Sequence, residues 1–194
     1  IIHMFSVSQE VSFEGRTSNI IDAPRVEANK GIFMNCSLKK FVWEESKEGN
    51  SNYVLNFYFE DSEGNTFKHT EWQPDPARDD FEKKFNNMNL RVGHILTKFG
   101  VSEATCKNNK GATLQEFMQN YIPLLTDYSQ KVNLKITLND KNYSVFTPYL
   151  GFIEKYEEGK TSNLRVGNKE KIKSTKADSN PADLGSSAIP ESIL

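Results

Sequence analysis

Three segments of the chain space aromatic, cationic and amide side chains two residues apart: Lys39, Phe41 and Trp43; Asn56 and Tyr58; Lys68, Thr70 and Trp72. In extended backbone a spacing of two brings side chains to one face of a sheet. If the three segments are neighbouring strands, that face carries four rings and two ammonium groups. Unpaired bases stack on such rings at about 1–3 kcal/mol each while the ammonium groups follow the phosphates. These eight residues are the candidate nucleic-acid-binding set, and the chemistry expected of them is sequence-tolerant binding of a single strand without catalysis. The competing expectation is that the rings are covered, either by helices of the same chain or by a subunit interface.

Other chemistry has little to draw on. Cys36 and Cys106 are too few and too far apart for a disulfide framework or a cysteine zinc site, and read as idle thiols in a reducing compartment. His69 and His94 lack cysteine or carboxylate neighbours at ligand spacing and read as structural. Asp79, Asp80 and Glu82 read as an acidic helix start, and Glu60, Asp61 and Glu63 as a solvated turn. Gly159-Lys160 lacks the upstream glycine spacing of a phosphate loop, and no nucleophile elbow stands out. No metal site, cofactor or enzymatic activity is expected. A nuclease or recombination factor with dispersed metal ligands is the remote third option.

The elements that must position the face are legible from periodicity. Ile32, Met34, Cys36 and Leu38 alternate with Phe33, Asn35 and Ser37, and the strand continues through Trp43 with a bulge expected at Lys39-Lys40. Tyr53 to Glu60 is a second strand with Tyr53, Leu55, Phe57 and Phe59 inward. Ser62-Glu63-Gly64-Asn65 is a hairpin turn, and Thr66 to Gln73 a third strand with Phe67, His69 and Glu71 inward. Asp75-Pro76 then reads as a helix start, followed by Phe81, Phe85, Met88, Val92, Ile95 and Phe99, with Gly100 as the stop. Thr113 with Glu116 forms a capping box for a second helix reaching toward Tyr128, which Pro123 kinks or splits. Residues 131–138 and 143–146 are returning strands around a turn at 139–142, and Tyr149 to Tyr156 is a closing strand. The fold class is therefore mainly β with a helical insertion (α+β). The element order matches an OB-like antiparallel five-stranded barrel with helices between the third and fourth strands.

Of the 194 residues, Ile1-Ile2-His3-Met4 read as a cloning remnant and 5–159 as the binding domain. Residues 1–159 carry net charge −4, residues 160–176 carry +5 and residues 177–194 carry −3. No aromatic follows Tyr156, so 160–176 reads as a basic linker and 177–194 as a flexible acidic tail ending in apolar residues. Such a tail can recruit partner proteins and compete for a basic groove. No apolar run is long enough to span a bilayer, and a cytoplasmic location is expected.

The strand–helix–strand order, the aromatic and basic sheet face, the segment KVNLKITLNDKNYSVFTPYLGFIEKY (131–156) and the acidic tail together resemble the single-stranded DNA-binding proteins of bacteriophages. The resemblance implies a non-catalytic binder acting in phage DNA replication or recombination in the host cytoplasm. Its partners would be single-stranded DNA and, through the tail, replication or recombination proteins, with self-association compatible. The alternative is a phage structural or assembly protein that uses the same face as a subunit interface.

Overall fold

The computed structural model describes residues 4–9, 11, 13, 31–47, 52–146, 151–167 and 170–172. The elements in chain order are β1 (Phe5–Ser6), β2 (Ile32–Glu45), β3 (Tyr53–Glu60), β4 (Thr66–Glu71), α1 (Phe81–Lys98), α2 (Glu103–Lys107), β5 (Lys110–Gly111), α3 (Leu114–Gln119), a 3-10 turn at Ile122–Leu124, β6 (Val132–Lys135), β7 (Thr137–Leu138), β8 (Ser144–Val145), β9 (Ile153–Lys155) and β10 (Lys171–Ile172). The protein is mainly β, with antiparallel pairing throughout the described sheets.

The central feature is the length of β2. Its first half pairs with β6 and its second half with β3, giving a five-stranded sheet in the order β4-β3-β2-β6-β9. Strands β6, β2, β3 and β4 therefore form a Greek key, with the fourth strand returning beside the first after the helices. Two irregularities let β2 serve both neighbours. One falls between Phe33 and Cys36, where Asn35 has a left-handed φ of 54°. The other lies between Leu38 and Lys40, at the bulge expected from the slipped alternation. Bulges bend a strand and increase its twist, which is how one strand passes from one sheet region to another. The Asn35 irregularity also changes the expected facing of the first half: Phe33 and Cys36 are both in the core, while Met34 is only half-buried. Among the described residues β4 and β9 are both edges, with no pairing that closes a barrel.

The inward face is a wall of phenylalanines. Phe41 stacks on Phe57 at 4.1 Å, and Phe59 and Phe67 continue the row toward Phe146 and Phe152. Helix α1 adds Phe85, Met88, Val92, Ile95 and Leu96 to the same core. The helix begins at Phe81, not at Pro76. Asp75 instead accepts the Ala77 amide at 3.0 Å, so the Asp-Pro pair makes a separate turn ahead of the helix. Gly93 lies inside α1 because a Cβ there would sit 2.1 Å from the Phe13 ring. The Thr113 cap is present, its hydroxyl accepting the Glu116 amide at 3.1 Å, but α3 stops at Gln119, and Pro123 lies in the 3-10 turn that follows. Helix α2, capped by Ser102, is too short to leave a periodic trace in the sequence.

The returning strands differ from expectation in an informative way. Strand β6 is buried on both faces: Val132 and Leu134 meet the core, Asn133 is bonded to Asn35 and Glu154, and Lys135 lies under the C-terminal segment. Lys135, with no exposed side chain, donates to the Arg165 carbonyl at 2.7 Å and to Glu170 at 3.1 Å. Strand β10 then pairs with β7. Residues 160–167 and 170–172 are thus part of the folded unit, which corrects the expected linker over those positions. The acidic tail at 177–194, residues 1–3 of the expected cloning remnant and residues 149–150 of the expected closing strand lie outside the described residues.

Candidate nucleic-acid interface

The register between β2, β3 and β4 decides which candidate residues share a face. Lys40 is opposite Tyr58, Tyr58 opposite Lys68, and Asn56 opposite both Val42 and Thr70. The outward face therefore carries Lys40, Val42 and Glu44 from β2, Val54, Asn56 and Tyr58 from β3, and Lys68 and Thr70 from β4, with Trp72 just beyond. Phe41 is opposite Phe57 and Trp43 opposite Leu55, on the inward face. Phe41 is 3% exposed and belongs to the core, so its place in the candidate set is corrected. Trp43 is half-buried against the core and stacks on Tyr53 at 6.0 Å, away from Tyr58 and Trp72. The bulge at Lys39 is the physical reason: one extra residue turns the alternation over, giving the outward positions to Lys40 and Glu44. Lys39 itself is exposed and reaches Glu60 at 3.8 Å.

The outward face is the floor of a groove of about 710 Å³ whose opposite wall is the β7–β8 hairpin. Asn56, Tyr58, Lys68, Thr70 and Trp72 line it, so five of the eight candidates are brought together. The hairpin adds Tyr143, 67% exposed, beside Trp72 at 43%. Tyr143 is placed by its turn: the Asn139 side chain accepts the Lys141 amide at 3.0 Å and the Tyr143 amide at 2.9 Å, and Asn142 takes a left-handed φ of 60°. The sequence marks this turn, but nothing in the sequence says that its flank faces β4.

A hydrogen-bond relay holds the floor rigid. Thr70 donates to Asn56 at 2.7 Å, Asn56 donates to Glu44 at 2.8 Å, and the Tyr58 hydroxyl donates to the same Glu44 oxygen. Lys40 completes the set, 3.4 Å from Glu44 and 5.4 Å above the Tyr58 ring. The Tyr58 hydrogen bond, with Asn56 and Lys40, holds the Glu44 carboxyl below its usual range, and the same bond raises the Tyr58 phenol. Asn56 and Thr70 are thus positioning residues, engaged with one another under the rings. Glu44, missed by the spacing argument, organises the floor.

Trp72 is fixed from below by its neighbour. Glu71, 3% exposed, is gripped by Arg91 of α1 through Nε at 2.5 Å and Nη2 at 2.9 Å, and His69 lies 2.7 Å away. Burial alone would raise the Glu71 carboxyl, but Arg91 and His69 outweigh it and hold it at about 2. His69 also packs on Phe146 at 4.6 Å, and Glu71 is a carboxylate neighbour that the reading of its spacing did not give it.

The remaining reactive groups are quiet. Burial pushes the Cys36 thiol up to about 12 and Cys106 up to about 11, so neither is a thiolate near neutral pH. Among the described residues no group of three or more His, Cys, Asp or Glu side chains is arranged to hold a metal ion, and no helix is long and apolar enough to cross a membrane. Asp61 does more than cap a solvated tip: its carboxylate accepts the Glu63 and Asn65 amides at 3.0 and 2.7 Å and shapes the β3–β4 turn. Comparison of the chain with protein-family models, curated proteins and solved structures finds no match.

Proposed function

We propose that the groove binds single-stranded DNA, without strong sequence preference and without catalysis. The observation that carries this reading is the grouping of Tyr58, Trp72 and Tyr143 around Lys68 in one open groove, on a floor that Glu44 holds in place. Rings that stack bases and cations that follow phosphates are what a sequence-tolerant single-strand site requires. A groove between the sheet face and a hairpin admits one strand, and the negative charge of the whole chain does not oppose this, because binding responds to the local field. The architecture is read here as an open variant of the OB fold: the Greek-key order, with the helices inserted between β4 and β6, supports it. In line with the phage resemblance, the biological setting proposed is DNA replication or recombination in the cytoplasm of an infected cell, with residues 177–194 recruiting partner proteins.

The test is fluorescence anisotropy of a labelled oligo-dT of about 30 nucleotides, at low and moderate salt, against a duplex control. Micromolar or tighter binding that favours the single strand and weakens as salt rises is expected. No binding at low salt overturns the proposal and turns attention to the groove as a subunit interface, whose apolar component is insensitive to moderate salt.

A further inference from the structure

The groove continues past Trp72. The same indole, with Thr70 and Val145, also lines a second depression of about 470 Å³ between the end of β4 and helix α1. The lining chemistry changes there: Arg78, Lys84 and Arg91 converge on it from α1 and the turn ahead of it. Of the two carboxylates in the lining, Glu71 is buried and already gripped by Arg91. Arg78 and Lys84 share Asp80 at 3.1 and 2.9 Å, with side chains 61% and 50% exposed. Exposed pairs of this kind contribute little to stability, so an incoming phosphate displaces Asp80 readily.

We propose that a strand crossing the sheet face turns at Trp72 and continues into this second depression, where Arg78 and Lys84 hold its phosphates. The inference rests on the single-strand reading and extends it. The rings of the first groove take bases, and the cations of the second take backbone. Continuity through Trp72, a residue 43% exposed that lines both, is what makes them one path. Neither Arg78 nor Lys84 belongs to the alternating pattern that marks the sheet face, which is why spacing in the sequence does not find them.

The experiment compares wild type with Arg78→Ala/Lys84→Ala on oligo-dT from about 4 to about 20 nucleotides, a range that brackets the site sizes of single small domains. A control pair, Lys155→Ala/Lys160→Ala, removes equal charge at and just after β9, the opposite edge of the sheet. On the longest oligonucleotide the slope of log affinity against log salt is expected to flatten by about 1.4 for the loss of two phosphate contacts, at about 0.7 each. On the shortest it should not change, and the control pair should leave it unaltered at every length. An unchanged slope at all lengths, with wild type binding normally, overturns the extension and leaves the sheet-face site standing. Equal flattening on the shortest oligonucleotide also overturns it, by placing both side chains in the first groove. Failure of wild type to bind any length overturns the single-strand reading itself.

Discussion

Arg91 on α1 grips both carboxylate oxygens of Glu71, the last residue of β4, one position before the exposed indole of Trp72. The pair ties the helical layer to the edge strand of the sheet where the two depressions meet. Removing one partner of a buried ion pair strands the other charge, so Arg91→Met is expected to cost about 3–5 kcal/mol of stability by denaturant unfolding. The pH dependence has a definite sign. Because the Glu71 carboxyl is held at about 2 against an ordinary 4.5, its contribution is complete above about 4.5 and is lost as pH falls through 2. Glu71→Gln should flatten the acid limb of the stability curve in that window; an unchanged limb would show that the carboxylate is not held down.

Trp72→Ala should weaken single-strand affinity by about 1–3 kcal/mol while lowering the melting temperature less than loss of a core ring does, since the residue is 43% exposed. Tyr143→Ala should act in the same direction. Wild-type affinity in a folded Trp72→Ala protein would remove the indole from the site.

Tyr58 separates ring from relay. Tyr58→Phe deletes the hydroxyl that donates to Glu44 but keeps the stacking surface, so affinity should change little while the Glu44 carboxyl rises toward its ordinary range. Tyr58→Ala should lose about 1–3 kcal/mol of binding, in anisotropy titrations run alongside. Equal losses in both variants would assign the effect to the relay instead of the ring.

Phe41→Ala is the counterpart. Its ring stacks on Phe57 in the core, so the substitution should cost about 3–5 kcal/mol of folding stability. The affinity of the fraction that remains folded should match wild type. A stable Phe41→Ala protein with weakened binding would contradict the register described for β2 and β3.

His94 supplies a second pH signature. It stacks on Phe152 at 5.7 Å, its Nε2 has no hydrogen-bond partner among the described residues, and burial together with the Lys98 charge lowers it to about 4. The unfolded chain takes up this proton first, so stability should fall as pH drops from 6.5 toward 4. Thermal melts across that range should show a shallower decline for His94→Phe; an identical decline would mean that other groups carry it.

The sequence by itself determined most of the local structure around the site. Alternation marked β3, β4 and the outward positions of Tyr58, Lys68, Thr70 and Trp72, because a strand buried on one face imposes a period of two. It also located the bulge near Lys39-Lys40, the Gly64 turn and the Thr113 cap, each of which depends on a few neighbouring residues. What only the tertiary structure decided were relations between segments far apart in the chain. The bulge register sent Phe41 and Trp43 inward, a one-residue shift that local pattern cannot resolve because both faces of β2 carry apolar residues. Lys135 reads as a solvent-facing lysine until Glu170 and the Arg165 carbonyl, more than 25 residues later, close over it. Arg91 meets Glu71 across 20 positions, and the hairpin that carries Tyr143 also pairs through β7 with the distant β10, a relation its own composition does not announce. Periodicity reports which side of an element is apolar; it carries no information about which polar side chains a distant element will cover. That is why the sheet face was legible and its walls were not.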